Sequence, residues 1–285
     1  MGRSDGKLVK DIPAFDRLIP HIMDRRYDAT NFVKVEFDMT NLHKFLRNLR
    51  AEGERAGIMD AVITAFVFLI QSTPELNRFI ANKKIYQRNH VCVSFAIIKS
   101  TESGELAETA VKVYIDPDDD LLSISQKIRN VIKENEQPQN HSAMDRFIDK
   151  LTSSWLFPAG FLIGLIKFLD RRGMLPKSII RMSPFHTTLF ISNLASIQMN
   201  YIYHHLFEFG TTSVFITLGM PRRLTTQSGK TKRVMTLGIS LDERIGTGVI
   251  WAKSLFEFKK TLENPELLIK KPRDHKEQKE SQAAN

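Results

Sequence analysis

Imidazoles are the first groups to weigh for proton transfer, because their ordinary pKa lies near neutrality. Two stand side by side in Tyr201-Ile202-Tyr203-His204-His205-Leu206. His204 and His205 are candidate bases. Consecutive residues of a helix cannot face one way, so the pair also reads as one packing and one surface histidine. His186 is a weaker candidate. Cys92 is the only cysteine; among Val91, Val93 and Phe95 it suits core packing rather than nucleophilic work, and alone it makes no internal disulfide. The run Asp116-Pro117-Asp118-Asp119-Asp120 invites a metal, but the acids better suit the positive end of a following helix. No His, Cys, Asp and Glu spacing fits zinc and no glycine-rich nucleotide loop is present, so no metal is expected.

Residues 1–30, punctuated by Pro13 and Pro20, read as an irregular arm. Residues 32–38 alternate, with Phe32, Lys34 and Glu36 set against Val33, Val35 and Phe37, which predicts a half-buried strand. Thr40 is placed to cap a helix carrying Leu42, Phe45, Leu46 and Leu49. Residues 58–70 are apolar almost all round and predict a buried helix, with a further short turn over 75–80. Strands are expected near Ile85, over 91–98 and over 110–115, then a helix over 122–135. Short strands over 188–191 and 213–218 flank a partly helical stretch. Ser228-Gly229 marks a hairpin before a strand over 234–241. A last helix carries Trp251, Leu255, Phe258 and Leu262, and Asn264-Pro265 stops it. Residues 271–285 read as a charged, disordered tail behind one domain of residues 1–270. Without a βαβ repeat, this mixture predicts a mixed sheet packed with helices.

Apolar residues make up 42% of the 285, enough for a real core, and the formal net charge is +9. That charge suits an anionic partner, but Lys and Arg form no stripe interleaved with aromatics, so no nucleic acid is expected. The polar first ten residues and the lone thiol point to the cytoplasm.

Five short segments carry more information together than apart. They are Phe37-Asp38-Met39-Thr40-Asn41-Leu42, Pro74-Glu75-Leu76-Asn77, Phe190-Ile191-Ser192-Asn193-Leu194-Ala195, the stretch from Ile239 through Leu241-Asp242-Glu243-Arg244-Ile245 to Thr247-Gly248, and Glu263-Asn264-Pro265-Glu266. In order and spacing they resemble the catalytic domain of dihydrolipoyl acyltransferases and chloramphenicol acetyltransferase, above all stand-alone members that also read LDERI. The resemblance implies an α/β two-layer fold, a homotrimer with active sites at subunit interfaces, and a channel admitting coenzyme A from one side and the acceptor from the other. It implies acyl-coenzyme A as donor and no lipoyl group on this chain.

Acyl transfer from a thioester needs a base, an oxyanion donor and two aligned reactants. By the resemblance, Ser192 is the oxyanion donor, beside Asn193, which fixes the local turn. Glu243 stands where the family has its histidine. A free Glu titrates at about 4.3 against about 6.5 for His, so Glu243 needs burial to serve as a base, and Arg244 must point away from it. An ion pair between Glu243 and Arg244 would instead mark a catalytically degenerate protein that binds a coenzyme A ester or a partner. Thr247 replaces a family aspartate of supporting role, and Gly248 is retained where the last helix begins.

One segment falls outside the motifs. It opens on Trp155, reads WLFPAGFLIGLIKFL with Lys167 its only charge, and runs on through Arg171, Arg172 and Lys177 to Arg181. Fifteen residues are short for a transmembrane helix. The insert, residues 155–181, is read as a helix buried under the sheet or at a trimer contact, with a peripheral membrane contact or the wall of a long-chain acyl pocket as the alternatives.

Overall fold

The computed structural model describes residues 3–100, 106–135, 159–225 and 229–269. The alternation along residues 32–38 makes β2 (Thr30–Asp38), whose Val33, Val35 and Phe37 join the core while Phe32 lies exposed on the other face. Its last residue starts the next helix, α2 (Thr40–Ala51): Asp38 Oδ1 accepts from Thr40 N at 3.0 Å and from Thr40 Oγ1 at 2.6 Å. The capping role expected of Thr40 thus falls to Asp38. In α3 (Ile58–Ser72) ten of the fifteen residues are buried, on every side of the helix, as its composition predicts. Before α4 (Leu121–Asn135), Asp120 Oδ1 accepts from Ser123 N at 2.9 Å, while Asp116 and Asp119 both pair with Lys127. The acidic run is a helix start.

Among the described residues, strands form two sheets. The main sheet runs β2-β10-β8-β7-β5-β6, built from β5 (Val91–Ser100), β6 (Leu106–Ile115), β7 (Leu189–Asn193), β8 (Val214–Leu218) and β10 (Thr231–Asp242), with β9 (Arg222–Thr225) hairpinned onto β10. Within it β7 lies parallel to both β5 and β8, and the remaining pairs are antiparallel. One face carries α2, α3, α4 and the last helix, over a core that includes Ile191, Ile216 and Ile239. Phe66 meets Phe258 edge-on there, with ring centroids 6.2 Å apart. Ser228 of the expected hairpin turn and the tail 271–285 lie outside the described residues.

Three expectations change. Residues 1–30 hold β1 (Gly6–Leu8) and α1 (Ala14–Ile22), with Pro20 accommodated inside the helix. β1 exists only through a distant partner, in the order β1-β4-β3 with β3 (Arg78–Ala81) and β4 (Lys84–Arg88), so the turn expected over 75–80 also becomes partly strand. The stretch between β7 and β8 is irregular beyond a 3₁₀ turn over Leu194–Ile197. It crosses the opposite face of the sheet, where its backbone finds partners on the strands: Thr217 Oγ1 donates to Ile202 O at 2.5 Å.

Gly238 permits that crossing. A Cβ there would lie 2.1 Å from Ile202 O, a backbone atom that cannot step aside alone. Gly238→Ala is therefore expected to cost roughly 1–3 kcal/mol of overpacking. Gly246→Ala, whose Cβ would meet nothing closer than 3.5 Å, is the control. Equal urea midpoints for the two variants would show that the crossing segment is loosely held.

The remaining helices are α5 (Ala159–Arg171), α6 (Lys177–Met182) and α7 (Gly248–Glu263). Burial under the sheet is not found over α5: within the single chain, residues 160–169 are exposed or half-buried, up to the buried Asp170. Trp155 and Pro158 lie outside the described residues.

Candidate functional site

β10 ends at Asp242 on a buried carboxylate. Asp242 accepts from Arg244 Nε at 2.8 Å and Nη2 at 2.7 Å, and Arg244 Nη1 donates to Met23 O at 2.9 Å. Burial would lower the Arg244 guanidinium, but the hydrogen bonds and charge of Asp242 override it and raise it. Arg26 Nε lies 3.9 Å from Asp242 Oδ2, and its guanidinium donates to the carbonyls of Phe207, Glu208 and Gly210. Burial pushes the Arg26 guanidinium down. These contacts lock the turn after β10.

With Arg244 committed to Asp242, Glu243 is half-buried and free of that neighbour. Its backbone N–H donates to Ala29 O at 2.9 Å, and its Oε2 accepts from Asn31 Nδ2. No cation pairs with it among the described residues. Glu243 faces a cleft of about 700 Å³, with Thr247 and Gly248 at the rim. Phe15 and Ile19 of α1, Val33 of β2 and Trp251 and Leu255 of α7 form apolar walls. That size and mixture, a mainly apolar cavity with few polar groups, is typical of a small-molecule site.

Thr247 does structural work: its hydroxyl accepts from Ile250 N and caps α7, which starts at Gly248. Trp251 Nε1 is buried at the cleft with no partner among the described residues. The sequence reading missed Trp251, Asn31 and α1. The i, i+4 spacing of Phe15 and Ile19 was a signal for α1, masked by its prolines. Nothing local marked Asn31.

Ser192 is the next-to-last residue of β7, on the face crossed by the irregular stretch; it is half-buried, and its hydroxyl has no partner among the described residues. Asn193 follows, exposed, and its carbonyl rather than its amide ties the turn by accepting from Ser196 Oγ at 2.6 Å. Ser192 is level with Thr217, and Thr217 with Gly238. Glu243 lies five residues beyond Gly238, about 17 Å at strand rise and two strands over. One chain therefore does not bring Ser192 and Glu243 to one carbonyl.

The histidines lie elsewhere. His204 stacks on Phe215, centroids 4.0 Å apart, and Nδ1 contacts His205 O at 2.8 Å; burial lowers its imidazole. His205 is exposed. His186 is buried between Ser183 Oγ at 2.8 Å and Asp170 at 3.2 Å. None of the three lines the cleft, and each has a packing role.

No protein-family model matches the chain, and no curated protein does. Solved structures share its fold. A probable dihydrolipoamide acetyltransferase from Listeria monocytogenes is 16% identical, with a TM-score of 0.55 covering 91% of this chain and 95% of its own. The Azotobacter vinelandii dihydrolipoamide acetyltransferase is 13% identical, with a TM-score of 0.57 and coverage of 92% and 94%. A chloramphenicol acetyltransferase is 11% identical, at 0.54 and coverage of 93% and 100%. At such identities the likeness establishes the fold: an α/β, chloramphenicol-acetyltransferase-like arrangement of a mixed sheet packed with helices.

Proposed function

We propose that the chain is an acyltransferase of the Glu-bearing kind, taking its acyl group from a coenzyme A thioester. The observation that carries this reading is the cleft in which Glu243, released from Arg244, is held by Asn31. In this reading Glu243 takes the proton from the acceptor's hydroxyl, amine or thiol as that atom attacks the thioester carbonyl. Ser192 donates a hydrogen bond to the oxyanion, the C–S bond breaks, and the coenzyme A thiolate leaves with the proton that Glu243 held. Trp251 Nε1 supplies a free donor for a polar atom of the ligand, and the apolar walls suit an acyl chain. The separation of Ser192 from Glu243 supports a site shared between copies, hence a homotrimer. The lone, buried Cys92 suits a reducing cytoplasm.

The degenerate alternative rests on the missing histidine and on Thr247 acting as a helix cap. Calorimetry with coenzyme A and its acyl esters tests both. Affinity is expected to rise about fourfold per buried methylene, as about 0.8 kcal/mol each requires, until the cleft is full. Absence of binding at every chain length removes the acyl-coenzyme A reading, degenerate or not.

A further inference from the structure

The only acid in residues 159–182 is Asp170, and it is turned inward. Its Oδ1 sits 2.8 Å from Arg3 Nη2 and 3.2 Å from His186 Nε2, and its carbonyl accepts from Arg3 Nη1. Burial pushes the Asp170 carboxyl up, but the hydrogen bond and charge of His186, with Arg3, hold it down at about 2. This buried clamp fixes the C-terminal end of α5 to the body.

Ahead of the clamp, α5 shows two stripes. Leu162, Ile166 and Leu169 are half-buried at i, i+4, i+7, the spacing of a helix face leaning on its support. Phe161, Leu165 and Phe168 repeat that spacing on the outer side and are 59%, 43% and 50% exposed. Arg172 extends the outer stripe one turn, its guanidinium 4.9 Å from the Phe168 ring, and Lys167 and Arg171 flank it, exposed. With Asp170 turned inward, the helix itself presents only positive charge, and Asp24, the exposed acid beside Arg171, is paired with Lys83 at 2.7 Å. A second copy docking by the same face would oppose cation to cation. The helix, about 20 Å long, is too short to cross a bilayer, and no described helix is long and apolar enough to do so.

We propose that α5 is a membrane-docking element: its outer apolar stripe enters the headgroup boundary of an anionic bilayer, and Lys167, Arg171 and Arg172 meet lipid phosphates. Apolar residues outward with cations at the same edge is the pattern of interfacial helices, and each cation near an anionic surface is worth about a fivefold gain in affinity. The clamp keeps the body at a set attitude to the surface.

The test is flotation of the full chain with phosphatidylcholine vesicles, with and without a one-third share of phosphatidylglycerol, at low and high salt. Binding is expected to the anionic vesicles, weakening as salt rises. Arg171→Gln with Arg172→Gln is expected to cost about tenfold or more, and Leu165→Asp with Phe168→Asp to abolish binding while thermal unfolding stays unchanged. No binding to anionic vesicles overturns the proposal. Undiminished binding by both variants does too, placing lipid contact elsewhere. A change of oligomeric state in the apolar variant, without vesicle binding by the parent, identifies α5 as a subunit contact and also overturns it.

Discussion

Glu243→Gln is expected to lower acyl-coenzyme A-dependent transfer, followed by release of the free thiol, about 10²–10⁴-fold, the usual worth of a general base. The amide keeps the shape of the carboxylate and its hydrogen bond with Asn31, so ester affinity and unfolding midpoint are expected to stay near those of the parent. Ser192→Ala is expected to cost about 10²–10³-fold for the lost oxyanion donor. The two inactive variants, mixed through reversible dissociation, are expected to regain part of the activity. The reason is geometric: about 17 Å of strand separates the two positions in one chain, so a working site draws them from different copies. An active Glu243→Gln variant removes the base. A mixture that stays inactive, with both single losses confirmed, removes the shared site.

The second large effect falls on stability. Asp242→Asn is expected to destabilise the chain by about 3–5 kcal/mol, read from the urea midpoint at constant slope. Asp242 is fully buried and is the carboxylate against which Arg244 and Arg26 are both arranged. Its neutralisation leaves two buried guanidinium groups short of counter-charge, and the asparagine amide presents hydrogens where Arg244 needs an acceptor. Ester affinity is expected to fall as well, because the same carboxylate holds the turn that carries Glu243. A change below about 0.5 kcal/mol would show that the backbone carbonyls around Arg26 suffice.

Much of this was legible in residue pattern alone. Period-2 alternation set β2 and its buried face, and all-round apolarity set α3, because those signals come from the burial that folding rewards. Five motifs in order pointed to the fold, and Ser192, Glu243 and Gly248 sit where those motifs put them: at a strand end, after a strand and at a helix start. Three features were not legible. The strand at residues 6–8 has its partner some eighty residues away in β4. The irregular crossing of residues 198–213 is ordered by Thr217 and by the space at Gly238, neither of which a local window sees. The insert looks buried by composition, yet within the single chain residues 160–169 of α5 are exposed or half-buried.

Arg244 shows the division most clearly. Residue order alone puts an arginine next to two carboxylates, Asp242 and Glu243. It could not choose which of two adjacent acids that arginine would bind. Packing made the choice, because Asp242 points into the buried face of the sheet end, where desolvation makes an unpaired charge intolerable, while Glu243 opens to the cleft. The pairing of Arg244 with Asp242 leaves Glu243 facing the cleft without a cationic partner among the described residues.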